Sequence, residues 1–279
     1  MGDFFLVCCA SVDLGAITRR SAHSAHSAHS AHSAQRGFME STPQITLYQF
    51  QLCPFCHKVR AALELKGLAY RMVEVAPGSK RELPPLPEGA PRKVPVIQVD
   101  GEVIWDSTTI LMRLDDIAPS AARRLLPQGG EERAAAVTLE DWVDANLIPS
   151  LPTVIYDTWA NAMRAAQITA RESNFTLLQS LKVRVGGSLI MRLIAKRILK
   201  RVGRSDGHAW VRECLDEVEA RLAGRAFVGG EAPSVADAAL HGALRCVEEF
   251  PVFSQVGERP SLRAWYARVS ELRAAGRRA

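Results

Sequence analysis

Between Gln44 and Phe50 the chain reads QITLYQF, an alternation that puts Ile45 and Leu47 on one face of a predicted strand. The period then changes. Pro54 suits the first turn of a helix, where its missing N–H costs nothing. Val59, Ala62, Leu63 and Lys66 recur at helical spacing up to Gly67, a natural residue just past a helix end. YRMVEV, Tyr70 to Val75, reads as a second strand, and the proline-rich PPLPEGAP from Pro84 to Pro91 as a loop. VPVIQV, Asp100-Gly101 and EVIW form a predicted hairpin with a DG turn. DSTTILMRLDDIA follows as a helix with Ser107 near its cap.

After Pro127-Gln128-Gly129-Gly130 only helical periodicity is visible, broken at Pro149, Pro152, Gly186-Gly187, Gly203, Gly229-Gly230 and Pro260. The pattern predicts an α/β thioredoxin-like domain over 44–120 and an all-α domain over 131–279. Residues 1–43 differ from both. They carry a repeated Ser-Ala-His tripeptide from Ser21 to Ala34. Such a tract cannot bury enough apolar surface to fold, so it reads as a low-complexity leader. A His-rich metal tract is the other reading, but nothing nearby supplies a shaped coordination site. Met39, just ahead of the first strand, is a candidate start of translation.

The 279 residues suffice for two domains, and 47% hydrophobic with 23% charged residues is the composition of a soluble globular protein. The net charge of +5 is unevenly spread: Lys182 to Arg204 holds eight basic residues and no acidic one. Within it SLIMRLIAKRILKRV is amphipathic, with Ile190, Met191, Ile194, Ile198 and Val202 on one face and Arg192, Lys196 and Lys200 opposite. The favoured reading is a helix of the α-domain with a solvated basic face. Peripheral contact with an anionic membrane through 181–204 is the alternative, and nucleic acid is not an expected partner.

Six cysteines (Cys8, Cys9, Cys53, Cys56, Cys214, Cys246) are too sparse for a secreted disulfide scaffold and suit a reducing cytoplasm. LCPFCHKVR places Cys53 and Cys56 at a predicted strand-to-helix turn. A helix N-terminus lowers a cysteine pKa through its dipole and free amides, which makes Cys53 the expected accessible, activated thiol. His57, Lys58 and Arg60 are expected to add positive charge. Zinc would need two more ligands, and no second CxxC or HxxxH follows, so no metal is expected. Cys214 and Cys246, each in a predicted helix, read as small hydrophobes. Cys56 either resolves a disulfide or packs under the turn. His208 and His241 receive no role.

ITLYQFQLCPFCHKVRAALELKG, KVPVI and WDSTTI together resemble the N-terminal domain of the glutathione transferase superfamily. The resemblance is to its cysteine-type members: omega-class transferases, dehydroascorbate reductases and type 2 membrane-associated prostaglandin E synthases, with a glutaredoxin-like CPFC turn. FVGGEAPSVADAALHGAL resembles the helix of the family's second domain that opens with a capping box, here Ser234 and Asp237. The family's order, β-α-β-α-β-β-α and then an all-α domain, is implied, with the proline-rich loop standing where its second helix falls.

The resemblance implies glutathione as cosubstrate and Cys53 as nucleophile. Phe55, Lys93, Val94, the cis-proline Pro95 and the Asp106-Ser107 pair would bind the tripeptide, Ser107 meeting the γ-glutamyl group at a helix N-terminus. Lys93 reads equally as a solvated lysine, and Asp106 stands where the family usually has Glu. Tyr48, near the place of a tyrosine nucleophile in other members, reads as a strand residue. A homodimer acting on a small electrophilic or disulfide substrate is the family's habit. An isomerase of the prostaglandin synthase kind, with haem beside glutathione, and a non-catalytic interaction protein are the alternatives.

Overall fold

The computed structural model describes residues 43–117, 123–172 and 187–278. The Ser-Ala-His tract, Cys8, Cys9, Met39 and the first part of the 181–204 segment lie outside the described residues. Four strands, β1 (Ile45–Gln49), β2 (Arg71–Glu74), β3 (Val96–Val99) and β4 (Glu102–Trp105), form one sheet in the order β2-β1-β3-β4. β1 pairs parallel with β2 and antiparallel with β3, and β3 pairs antiparallel with β4. Parallel neighbours need a crossover, and α1 (Pro54–Lys66) supplies it. Gly67 ends α1 at φ 66°, and the hairpin turn uses Asp100 at φ 49° and Gly101 at φ 94°, the two left-handed residues of a type I′ turn.

One sheet face carries Ile45, Leu47, Ile97, Val99 and Ile104. These bury against Val59, Ala62 and Leu63 of α1 and Ile110, Leu111 and Leu114 of α2 (Ser107–Asp116). No helix forms between β2 and β3, because the four prolines between Pro84 and Pro91 remove amide donors and hold their neighbours extended. The loop instead contributes Leu83 and Leu86 to the apolar cluster that includes Tyr48 and Val96.

The second domain is helical: α3 (Gly130–Trp142), α4 (Ile148–Ile155), α5 (Trp159–Glu172), α6 (Ser188–Arg201), α7 (Gly207–Leu222), α8 (Val235–Cys246) and α9 (Pro260–Arg278). One π-helical turn, Val143–Leu147, joins α3 to α4. Pro149 and Pro152 lack the amides that would continue the α pattern there, and the Ser150 hydroxyl donates to the Leu147 carbonyl at 2.6 Å. α6 belongs to the α-domain as its sequence predicts, but its apolar seam is shifted. Met191 and Ala195 are buried and Ile194, Ile198 and Val202 half-buried, whereas Ile190 is exposed beside Leu189 and Leu193. The helix packs along the line of Met191, Ile194, Ala195 and Ile198, which leaves those three apolar residues on the side of Lys196, Arg197 and Lys200. No helix of the described residues is long and apolar enough to cross a membrane.

The two domains meet along α1 and α8. A Cβ added to Gly242 would stand 2.6 Å from the Lys58 Cα and 2.7 Å from the His57 carbonyl carbon, so only glycine lets the two backbones approach. The polar positions of α1 are buried by this contact together with α2, α3 and α9, and each of its charges finds a partner. Lys58 Nζ bonds to Glu140, to Asp144 Oδ2 at 2.8 Å and to Thr108 Oγ1 at 3.3 Å. Burial works against its ammonium, and the Asp144 and Glu140 carboxylates outweigh that and raise its pKa. Glu64 accepts from Arg273 at 2.7 Å, Arg277 at 2.8 Å and Tyr70 at 2.9 Å. Lys66 meets Asp115 at 2.7 Å. Arg273 also donates to His241 Nδ1 at 2.6 Å, which assigns the ring proton to Nε2, donating to Ser270 at 2.8 Å. Breaking a buried pair by removing one partner costs about 3–5 kcal/mol.

Two predictions follow from this interface. Gly242→Ala should lower stability by about 1–3 kcal/mol through overpacking, read as a lower urea midpoint; an unchanged midpoint would refute the backbone contact. The second concerns Asp144, whose carboxyl burial pushes up to about 6 against the pull of Lys58. With its folded pKa above the ordinary 3.8, Asp144 contributes stability that is whole below that value and is lost as pH rises through about 6. Asp144→Asn should therefore gain ~1–3 kcal/mol on wild type between about pH 4 and about pH 7. A stability difference that does not change with pH would count against it.

Candidate functional site

Strand register brings the predicted site residues to one end of the sheet. Tyr48 pairs with Val96, and Val96 with Trp105. The end of β1 with the Cys53 turn, the start of β3 with Val94 and Pro95, and the end of β4 with Asp106 and Ser107 therefore share one edge. Neighbouring strands stand ~4.8 Å apart, so β1 to β4 is about 10 Å across, the reach of an extended tripeptide at ~3.4 Å per residue. The Val94-Pro95 bond is cis. Lys93 precedes it, half-buried. Asp106, at φ 75°, is the N-cap of α2, its Oδ1 accepting from the Thr109 amide at 2.9 Å and hydroxyl at 3.0 Å. Ser107 is the first helical residue and is buried. The amides of the first helical turn have no intrahelical acceptor and make an anion site.

Cys53 is the N-cap of α1, its amide bonded to the Phe50 carbonyl at 3.0 Å and its carbonyl accepting from His57 N at 3.1 Å. Cys56 lies one turn on. Its sulfur accepts from the Phe50 amide at 3.5 Å and shares a hydrogen bond with Cys53. Burial, that bond and the charge of Cys53 push the Cys56 thiol well above its ordinary value. The Cys56 thiol therefore resists ionisation, and it lies within hydrogen-bond reach of the Cys53 sulfur.

Three expectations are corrected here. Cys53 is not an accessible thiol: it is 0% exposed, like Cys56, because the helical domain caps the turn and the Cys246 thiol donates to the Leu52 carbonyl at 3.3 Å. A substrate reaches the Cys53 sulfur only after a covering side chain moves. His57 adds no positive charge, since burial and the neighbouring Arg60 lower its pKa to about 3 while Nε2 donates to the Gln51 carbonyl at 2.7 Å. The charge of Lys58 is bound to Glu140 and Asp144, and Arg60 turns to Gln51 Oε1 at 3.1 Å. The helix N-terminus and Cys56 remain as the groups favouring a thiolate.

Phe55 is half-buried, its ring 5.9 Å beneath Lys58 Nζ. The Tyr48 hydroxyl faces Gln98 Oε1 at 3.4 Å within the sheet. Cys214 and Cys246 are buried in the helical core, and burial pushes the Cys214 thiol up to about 11. The Ser234 and Asp237 side chains form the reciprocal cap of α8, and Asp237 also accepts from Trp265 Nε1 at 2.8 Å. Among the described residues no group of three or more His, Cys, Asp or Glu side chains could hold a metal ion.

Residues 47–123 match the family "Glutathione S-transferase, N-terminal domain", and residues 208–272 match "Glutathione S-transferase, C-terminal domain". Prostaglandin E synthase 2 of Danio rerio is 26% identical over 277 aligned residues, covering 84% of this chain and 72% of that protein. The Mus musculus protein of the same name is 27% identical, covering 83% and 71%. Among solved structures, glutathione transferase F7 from Populus trichocarpa superposes with a TM-score of 0.57 at 18% identity, covering 84% of this chain and 99% of that one. With its two domains matched separately and in this order, the chain belongs to the glutathione S-transferase superfamily of enzymes.

Proposed function

We propose that the chain is a glutathione-dependent thiol transferase with Cys53 as nucleophile. The observation that carries this reading is the placement of Cys53, the N-cap of α1, at the same sheet edge as the cis Val94-Pro95 bond and the Asp106-Ser107 start of α2. The Cys53 thiolate attacks the glutathione sulfur of a mixed disulfide. The S–S bond breaks, the departing thiolate takes a proton from solvent, and a Cys53–glutathione disulfide forms. The thiolate of a second glutathione attacks the glutathione sulfur of that disulfide, releasing oxidised glutathione and restoring the Cys53 thiolate. Val94 ahead of the cis bond and Ser107 at the α2 N-terminus hold the tripeptide while this proceeds. The same reading puts the protein in a reducing cytoplasm and expects a homodimer.

A second reading, isomerase chemistry, is favoured by the relatives named prostaglandin E synthase 2, which align with more than four-fifths of the chain. Thioltransfer consumes glutathione, whereas isomerisation regenerates it.

Cys53→Ser should reduce turnover of hydroxyethyl disulfide at least ~100-fold, since no other described cysteine is a helix N-cap. Full activity in that variant would sink the mechanism. Cys56→Ala, which removes the hydrogen bond to Cys53, should slow turnover and alkylation of Cys53 by iodoacetamide near neutral pH together, by roughly threefold to tenfold. Alkylation at the wild-type rate would remove Cys56 from its role.

A further inference from the structure

Six large apolar side chains are exposed among the described residues, and three of them, Leu189, Ile190 and Leu193, lie in the first two turns of α6. A fourth, Trp159, stands at the same end of that helix. The Ser188 hydroxyl donates to the Ala162 carbonyl at 3.3 Å and lies 3.9 Å from Met163 Sδ, and Trp159 is one turn before both on the same face of α5. Exposed apolar residues scattered singly need no explanation, but a cluster of them marks a contact surface. The rest of the outward face is cationic. Lys196, Arg197, Lys200 and Arg201 are exposed, and no carboxylate pairs with them among the described residues. Arg204, just past the helix, does pair with Glu213, at 2.6 Å. From Ser173 to Ser205 the sequence holds eight basic residues and no acidic one.

Apolar and cationic groups together choose between occupants. A second copy in a two-fold contact would set this face against itself, cation against cation, with no acid on α6 to relieve the repulsion. Nucleic acid would use the cations but leave Leu189, Ile190 and Leu193 in water. An anionic bilayer surface takes both: apolar side chains enter the boundary between headgroups and acyl chains, while Lys and Arg stay with the lipid charges. Tryptophan suits the same boundary. Met191 and Ala195 already bury the inner side of α6 in its own domain, so the helix can offer a membrane only its outer strip and lies along the surface without crossing it. A few apolar side chains hold a bilayer weakly by themselves, so adhesion needs the charges as well.

We propose that α6 docks the protein peripherally on an anionic lipid surface, with Leu189, Ile190 and Leu193 inserted below the headgroups and Lys196, Arg197, Lys200 and Arg201 on the lipid phosphates. The basic face is then one half of a binding surface, and the shifted seam of α6 supplies the other half by turning Ile190 outward. Such docking uses none of the residues assigned to glutathione.

The test is co-sedimentation of the full chain with vesicles of phosphatidylcholine alone and of phosphatidylcholine mixed with phosphatidylglycerol. Binding to the mixed vesicles should be about tenfold tighter or more, and should weaken as salt is raised. Leu189→Ser with Leu193→Ser, and separately Lys196→Gln with Lys200→Gln, should each weaken it about tenfold. All four side chains are exposed, and melting by circular dichroism reports that the variants fold. Wild type that leaves the mixed vesicles in the supernatant would overturn the docking. Binding that survives loss of both leucines would also overturn it, since the face would then serve polyanions in general, nucleic acid included. Self-association in sedimentation velocity that the leucine variant abolishes, without vesicle binding, would give the face to a second copy instead.

Discussion

Everything the site requires depends on α1 being enclosed on both sides. One face lies on the sheet through Val59, Ala62 and Leu63, and the other lies on α8 so closely that Gly242 meets the backbone of His57 and Lys58. The enclosure fixes the N-terminus of α1, and with it Cys53, relative to Val94 and Ser107. It also buries Lys58, Glu64 and Lys66, and desolvated charges of that kind persist only with partners. The ion pairs along α1 are therefore consequences of the packing, and those of Lys58 and Glu64 hold the two domains in one arrangement.

The thiol site follows from the same enclosure. Burial takes away the charge that His57 would carry in solution and commits that of Lys58 to carboxylates. A cysteine flanked by three basic residues in sequence is thus left in the folded chain with the helix N-terminus and one neighbouring thiol. Burial also raises the Cys56 thiol, and a protonated neighbour can stabilise a thiolate where a second thiolate would repel it. Position in the helix, more than the number of nearby charges, is what distinguishes the two cysteines.

The sheet and its connections were legible because their signals are local. Alternation marked β1, Asp100-Gly101 marked the hairpin, prolines marked the loop that replaces a helix, and Ser234 with Asp237 marked the start of α8. The second face of α1 was not legible. Lys58 and Asp144 lie 86 positions apart, and Glu64 and Arg273 lie 209 apart, so nothing near His57, Lys58 or Glu64 reveals that another domain covers them. The place of His241 is hidden in the sequence for the same reason, since its partners Arg273 and Ser270 come from α9. In α6 the periodicity was visible but the seam was not, because Ile190 and Met191 look alike in sequence and only packing separates them.

The paired charges on α1 also bear on how such a chain can change. Lys58 belongs to the first domain while Glu140 and Asp144 belong to the second, and Glu64 is divided in the same way from Arg273 and Arg277. A chimera carrying a relative's helical domain would strand a buried lysine and a buried glutamate unless the partners came with it. The two halves look like exchangeable modules, yet they are inherited as a matched set. Recombination between relatives should succeed at crossover points that keep those residues together and fail where they are parted.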